Sequence, residues 1–274
     1  MAEVQKLYGK LLHTTLVVPA GRAYLTNLEA MLALFNNCPF VPHTPPCDMP
    51  HDLDWWAKLL DAKTLSRPIP GPTPLEDMDA FSDAFSGFGI GITIGKNWRT
   101  WRLLPGWKTE GRDIGWAEAI GFKLLVLSIL SSSGGSVNFK VYSDNKGVVE
   151  GWWKGRSRNK QTNLVFHRIH ALMGAQQSSV HTRYVPSKEN PADNPSQGIY
   201  PPTSLLLPRL TIPHKLNSLI IDFDSSITSL EPSTHQHNLP ALLPKPCCLL
   251  SENERATFNA ELDRRGEELL SFDP

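Results

Sequence analysis

Four acidic residues, Asp83, Glu118, Asp144 and Asp193, stand where their neighbours give an acid little structural work. Asp83 lies in FSDAF, an alternating stretch of the kind that disfavours a carboxylate within a strand. Glu118 lies in WAEAIGFKLLVL, and its same-face helical neighbours are Phe122 and Leu125. A carboxylate on an apolar face is costly unless it is paired, hydrogen-bonded or bound to a metal. Asp144 ends the run VNFKVYSD, and Asp193 follows the proline-containing turn SKENPA. Brought to one end of a mixed sheet, four carboxylates suit two hard divalent cations, which prefer oxygen donors and keep some of their waters. Two such ions about 4 Å apart clamp the attacking water and the leaving oxygen of an in-line phosphodiester displacement. Singly, each acid has a plainer use: Asp144 can cap the helix from Asn145 to Trp153, and Glu118 can sit in a salt bridge.

The elements needed to gather these acids can be read from periodicity. FSDAF, then Ser86-Gly87, FGIGITI, Gly95-Lys96-Asn97 and WRTWRLL read as a three-stranded antiparallel meander beginning near Met78. Asp113 can cap a helix from about Ile114 to Ser131 that is apolar nearly all round and therefore buried. Val137, Phe139 and Val141 alternate with polar residues, which predicts a strand with Asp144 at its carboxyl end, where loops carrying ligands and catalytic groups collect in α/β sheets. A helix starting at Thr162 or Asn163 turns Val165, Ile169, Leu172 and Met173 inward and His167 and His170 outward. SVHTRYVP, from Ser179 to Pro186, is the last strand. Upstream, residues 4–35 form a helical hairpin broken at Pro19 to Gly21. Residues 36–77 are a proline-rich connector with one amphipathic segment, Asp52 to Leu60. Residues 201–250 read as an irregular linker and 251–274 as a peripheral charged helix.

The 274 residues, with 41% hydrophobic and 20% charged content, are enough for one or two ordinary cores. The longest apolar run, Leu124 to Leu130, is too short to span a bilayer, and the N-terminus lacks the features of a secretory signal. The expectation is an intracellular protein, in cytoplasm or nucleus, with no membrane partner. Cys38, Cys47, Cys247 and Cys248 show neither CxxC nor paired zinc spacing and read as free thiols. With 27 basic and 27 acidic residues, overall charge gives no argument for nucleic acid. Local charge does, because Lys154, Arg156, Arg158 and Lys160 follow Trp152 and Trp153. Phosphate neutralisation beside an aromatic surface is what a nucleic-acid groove needs. A solvated loop is the plainer account of the same run.

The segments around the four acids together resemble the ribonuclease H domain, in the version joined to the reverse transcriptases of retroelements. The resemblance covers roughly residues 78–200 and rests on SDAFSGFGIG, WAEAIGFKLLVL, VYSDNKGVVEGW and RYVPSKENPADNPSQG, the last with Asn190, Ala192, Asp193 and Ser196 in place. It implies an α/β, RNase H-like domain over residues 78–200, with three antiparallel strands, then parallel strands, and flanking helices. It also implies Mg2+-dependent cleavage of the RNA strand of RNA–DNA hybrids, using two ions for which Mn2+ can substitute. In that scheme Asp83 and Asp144 bridge or share the ions, Glu118 holds the leaving-group ion, and Asp193 helps hold the ion that activates water.

Upstream, LYGKLLHTTLVVPAGRAYLTNL and DLDWWAKLL are similar to the segment after the polymerase palm in fungal-type reverse transcriptases, including those of tyrosine-recombinase and hepadnavirus-like elements. Residues 1–35 would then be a remnant of the thumb or connection. The chain has no YxDD-type motif, and IIDFDSS falls in the expected irregular tail. The resemblance therefore implies the C-terminal piece of a retroelement polyprotein, or a degraded copy, whose partners are the hybrid and the polymerase part of the same polyprotein. Two departures stand out. The loop Ser187 to Pro191 has Lys188 but no histidine, where cellular members carry a mobile one, and the run Lys154 to Lys160 stands in for a short basic extension. Two alternatives stay open: a catalytically silent remnant that only binds nucleic acid, and a DNA-directed nuclease on the same scaffold.

Overall fold

The computed structural model of the chain describes residues 1–36, 38–62, 75–223 and 260. Cys247, Cys248 and nearly all of the expected C-terminal helix lie outside the described residues.

The first helices form a small core of their own. Helix α1 (Ala2–Thr14) leads through a 3-10 segment, Pro19–Leu25, into α2 (Thr26–Leu34), and α3 (Met49–Leu60) follows. The expected break at Pro19 comes after α1 has already ended at Thr14; Pro19 opens the 3-10 segment at its first position, where a missing N–H costs nothing. Leu11, Ala23, Tyr24, Leu25, Leu28 and Trp56 are buried together here. The Trp56 indole N–H donates to Tyr24 O at 3.2 Å, which fastens α3 to the 3-10 segment.

The rest is a mixed α/β unit around a six-stranded sheet. The expected meander is present as β1 (Glu76–Ala84), β2 (Gly89–Ile94) and β3 (Asn97–Leu103), all antiparallel, with β1 opening inside the stretch read as connector. Helix α4 (Ile114–Ser132) begins at Asp113, whose side chain accepts from Trp116 N at 2.9 Å, as its sequence predicts. Strand β4 (Asn138–Ser143) runs parallel to β1, and helices α5 (Lys146–Trp153) and α6 (Lys160–Ala175) separate it from β5 (Ser179–Tyr184), parallel to β4. A short helix, α7 (Asp193–Ser196), precedes the last strand, β6 (Ile220–Asp222). The strand order is β5-β4-β1-β2-β3-β6.

Residue alternation divides the sheet's two faces between helices. Gly121 on α4 lies so close to the sheet that a Cβ there would stand 3.1 Å from Ile90 and 3.5 Å from Ser82. On the opposite face, a Cβ on Gly91 would stand 2.6 Å from both Ala192 O and Ser196 N, so α7 can rest on β2 only because residue 91 is glycine. Among the described residues, α4 is the one helix long and apolar enough to cross a membrane, and here it is core, packed against β1, β2 and α6.

Two expectations and one plainer alternative need correction. Residues 201–219 are largely irregular, as expected, with two 3-10 turns and a bridge from Leu206 to Trp98, but the stretch ends in an edge strand of the sheet, residues 220–222. Here β6 pairs with β3, and Arg99, buried, donates through Nε and Nη2 to the two oxygens of buried Asp222 at 2.9 and 2.6 Å. IIDFDSS therefore begins as a strand, a pairing invisible in a proline-rich stretch because its partner lies over a hundred residues upstream. Second, Asp144 does not cap α5. Asn145 does, its Oδ1 accepting from Val148 N at 3.1 Å. Third, His167 and His170 do not face solvent. His167 is buried against the 3-10 segment, with Nε2 2.8 Å from Ala23 O and its ring stacked on Tyr24 at 3.9 Å. His170 stacks on Trp152 at 4.2 Å. The N-terminal segment covers His167 and α5 covers His170, on a face that helical periodicity alone reads as an outer surface.

Candidate metal centre

Strand register brings the first two acids level. In the parallel pair β1/β4, Ser82 stands opposite Ser143, so the next residue of each chain, Asp83 and Asp144, arrives side by side at the strands' carboxyl ends. Asp83 is still within β1 and is buried, whereas Asp144 sits in the gap between β4 and the Asn145 cap and is half-buried. Capping by Asn145 leaves the Asp144 carboxylate out of the helix terminus. Glu118 comes from the first half of α4, one turn before Gly121, at which the helix closes onto β1. It is 2% exposed, although it is a carboxylate.

Asp83, Glu118 and Asp144 each offer a carboxylate oxygen, and these atoms all lie within 4.8 Å of one another. At such separations, and at an effective dielectric constant near 20, the repulsion between two carboxylates is on the order of 3 kcal/mol. Three gathered carboxylates are an all-oxygen, hard donor set, which suits Mg2+ or Mn2+ and not a soft or thiolate-seeking ion. Lys123, the buried cation of the same helix, is five residues past Glu118 and therefore lies about 140° around the helix axis from it. Burial pushes the Lys123 amine down to about 8, with Arg168 on α6 adding to the shift.

Asp193 is not among the three. It opens α7, is half-buried, and one of its oxygens accepts from Gln197 Nε2 at 2.8 Å. The loop that carries it does reach the centre, through two neutral side chains. The Ser196 hydroxyl lies within hydrogen-bond distance of both Asp83 Oδ2, to which it can donate, and Asp193 O at 2.8 Å. Asn190 Nδ2 donates to Asp144 Oδ1 at 3.4 Å and to Ser82 O at 3.1 Å. Both residues belong to the RYVPSKENPADNPSQG segment, whose resemblance assigns a role to Asp193 alone. The signal was their side-chain chemistry, short donors three residues either side of the acid.

The predicted nucleic-acid residues divide into anchored and exposed groups. The Trp152 indole N–H donates to Val180 O at 3.0 Å and that of Trp153 to Thr182 O at 3.1 Å, so both rings are fastened to β5. Arg156 pairs with Glu29 and Lys160 with Asp48, so both hold the N-terminal helices. Lys154 is exposed and pairs with Glu150 one turn back, and Arg158 is exposed. Comparison with protein-family models, with curated proteins and with solved structures found no match to this chain.

Proposed function

We propose that this chain is a divalent-ion-dependent nuclease that hydrolyses the RNA strand of RNA–DNA hybrids on an RNase H-like scaffold, as part of a retroelement polyprotein. The observation that carries this reading is the convergence of Asp83, Glu118 and Asp144, from two neighbouring parallel strands and the helix packed on them, to within 4.8 Å. The sheet adds support, because an antiparallel meander whose first strand is joined by two parallel strands is the arrangement the sequence resemblance implies.

Bound ions would supply water activation and charge neutralisation at the leaving oxygen. The chain's own residues do the rest. Asp83 and Asp144 would hold the ions from adjacent strands, with Glu118 from α4. Asp193, on the helix whose Ser196 touches Asp83, would be a fourth ligand; one of its oxygens accepts from Gln197. Exposed Lys154 and Arg158 meet phosphates, and Arg156 and Lys160 contribute charge from the same run.

Asp144→Asn removes one negative charge with little change of shape. The expected outcome is an unchanged fold by circular dichroism and a loss of hybrid-RNA cleavage, in Mg2+ or Mn2+, of about a hundredfold or more. Full activity in that variant, or wild-type cutting of duplex DNA in preference to hybrid, rejects the assignment. Hybrid binding without turnover would favour a silent nucleic-acid-binding remnant instead.

A further inference from the structure

We infer that Ser196 and Asn190 are positioning residues for the metal-binding carboxylates, a role that rests on the metal reading above and gives the 187–196 loop a function separate from Asp193. Ser196 is fully buried and Asn190 is 4% exposed, so neither is a solvated loop side chain that meets the site by chance. Each donates to a different acid of the cluster, Ser196 to Asp83 Oδ2 and Asn190 Nδ2 to Asp144 Oδ1. Neither brings charge. A neutral donor orients a carboxylate without neutralising it, whereas a cation in the same place would compete with the metal.

The loop is rigidly seated for this work. Asn190 Oδ1 accepts from Ala192 N at 3.1 Å, which sets the amide so that its Nδ2 faces Ser82 O and Asp144. The Thr100 hydroxyl lies 2.9 Å from the carbonyl oxygens of both Ile90 and Pro195, tying α7 to β2 and β3. The missing Cβ at Gly91 lets Ser196 N come within 2.6 Å of where that atom would be. Ser196 and Asn190 thus hold the two acids of adjacent strands from one side, while α4 delivers Glu118 from the other.

The test compares wild type with Ser196→Ala, Ser196→Thr and Asn190→Ala, reading the Mg2+ and Mn2+ concentrations that give half-maximal thermal stabilisation, together with kcat and KM on hybrid. A charge-assisted hydrogen bond lost from one ligand corresponds to about a tenfold weaker ion response. The expected result is that shift in Ser196→Ala and in Asn190→Ala, each read against its own ion-free melting temperature, with KM for hybrid unchanged, kcat lowered at limiting ion, and the response restored in Ser196→Thr, which keeps the hydroxyl. If Ser196→Ala does not fold, Asn190→Ala carries the same comparison. A wild type that responds to ions while Ser196→Ala and Asn190→Ala respond at the same concentration overturns the positioning role alone. A wild type that gains no stability from either ion overturns the metal reading, and the positioning role with it.

Discussion

His170 shows how much one buried ring can shape the pH dependence of this protein. Its ring stacks on Trp152 at 4.2 Å and 17°, and its Nε2 is buried without a hydrogen bond among the described residues. The residue as a whole is only half-buried, but the ring nitrogen that would take up the proton is shielded. Burial pushes its pKa down to about 4, and His167 nearby adds to the shift. His167 is lowered as well, by burial working against its bond to Ala23 O and the charge of Asp52. Between the unfolded value near 6.5 and about 4, the unfolded chain binds a proton at this position that the folded chain does not. Stability is therefore complete above pH 6.5 and falls as the pH drops, by at most on the order of 3 kcal/mol for this residue. Asp52 acts in the opposite sense, since burial raises its carboxyl and protonation then favours the fold. Replacing His170 with Phe keeps an aromatic ring on Trp152 and removes the titration. Urea denaturation from pH 7.5 to 4.5 is expected to show a larger stability loss in wild type than in His170→Phe, which keeps only the part due to His167. Parallel curves would mean that the ring is solvated. The type and spacing of this histidine were legible in the sequence, but its surroundings were not, because Trp152, which covers its ring, sits on another helix and the periodicity of α6 does not say how α5 packs on it. The same holds for Asp144 and Asn145, two good N-caps in succession. Propensity does not separate them, and only the turn geometry assigns the cap to Asn145 and places Asp144 beside Asp83 and Glu118.

At the scale of elements, the two adjacent tryptophans act as the guard of a sheet edge. Ser179 N and Val185 N donate to the β4-side carbonyls of Val137 and Ser143, so odd-numbered residues of β5 face β4 and even-numbered ones face outward. The outward carbonyls of Val180 and Thr182 receive the indole N–H groups of Trp152 and Trp153. An edge strand with unmet carbonyls invites another strand to pair with it, and covering that edge with a helix is a known remedy. Trp152 is also packed edge-on against Phe122 and Phe166, so its replacement would mix packing with hydrogen bonding. Trp153 separates the two effects better. Trp153→Phe is expected to cost about 1 kcal/mol in chemical denaturation, the net worth of one hydrogen bond. It is also expected to raise self-association in sedimentation velocity by leaving Thr182 O open. An unchanged monomer with wild-type stability would rule out the guarding role. Elements with their own pattern, such as the FGIGITI strand and the Asp113-capped helix, were readable from sequence nearly to the residue. The β6 edge and the use of the Trp pair were not, because a three-residue strand has no period and a hydrogen bond from a ring to a distant carbonyl leaves no mark in spacing.

The whole molecule is held as one piece by the face of α6. Asn163 is buried at its centre, with Nδ2 donating to Ala23 O at 2.9 Å and Oδ1 accepting from Ser157 N at 3.0 Å. Around it lie the stack of Trp55, Tyr24 and His167, with ring centroids 3.9 Å apart at each step. The ion pairs Arg156 to Glu29 and Lys160 to Asp48 form the rim, with side chains between 33% and 57% exposed. The magnitudes decide which of these holds the N-terminal helices in place. Exposed pairs contribute about 0–1 kcal/mol each and are screened by salt. A buried amide that satisfies a carbonyl on one segment and an N–H on another leaves two groups unmet when it is removed, at a cost of about 2 kcal/mol. Asn163→Ala is accordingly expected to speed hydrogen exchange in α1, α2 and α3 about thirtyfold, while β1 to β5 change little. Raising NaCl to 0.5 M in the wild-type protein should change the same amides only a few-fold. The opposite pattern, release by salt and indifference to Asn163→Ala, would show that the basic run and not the buried amide carries the docking. Arg156 and Lys160 would then be committed to the N-terminal helices, and phosphate contact would fall to Lys154 and Arg158 alone.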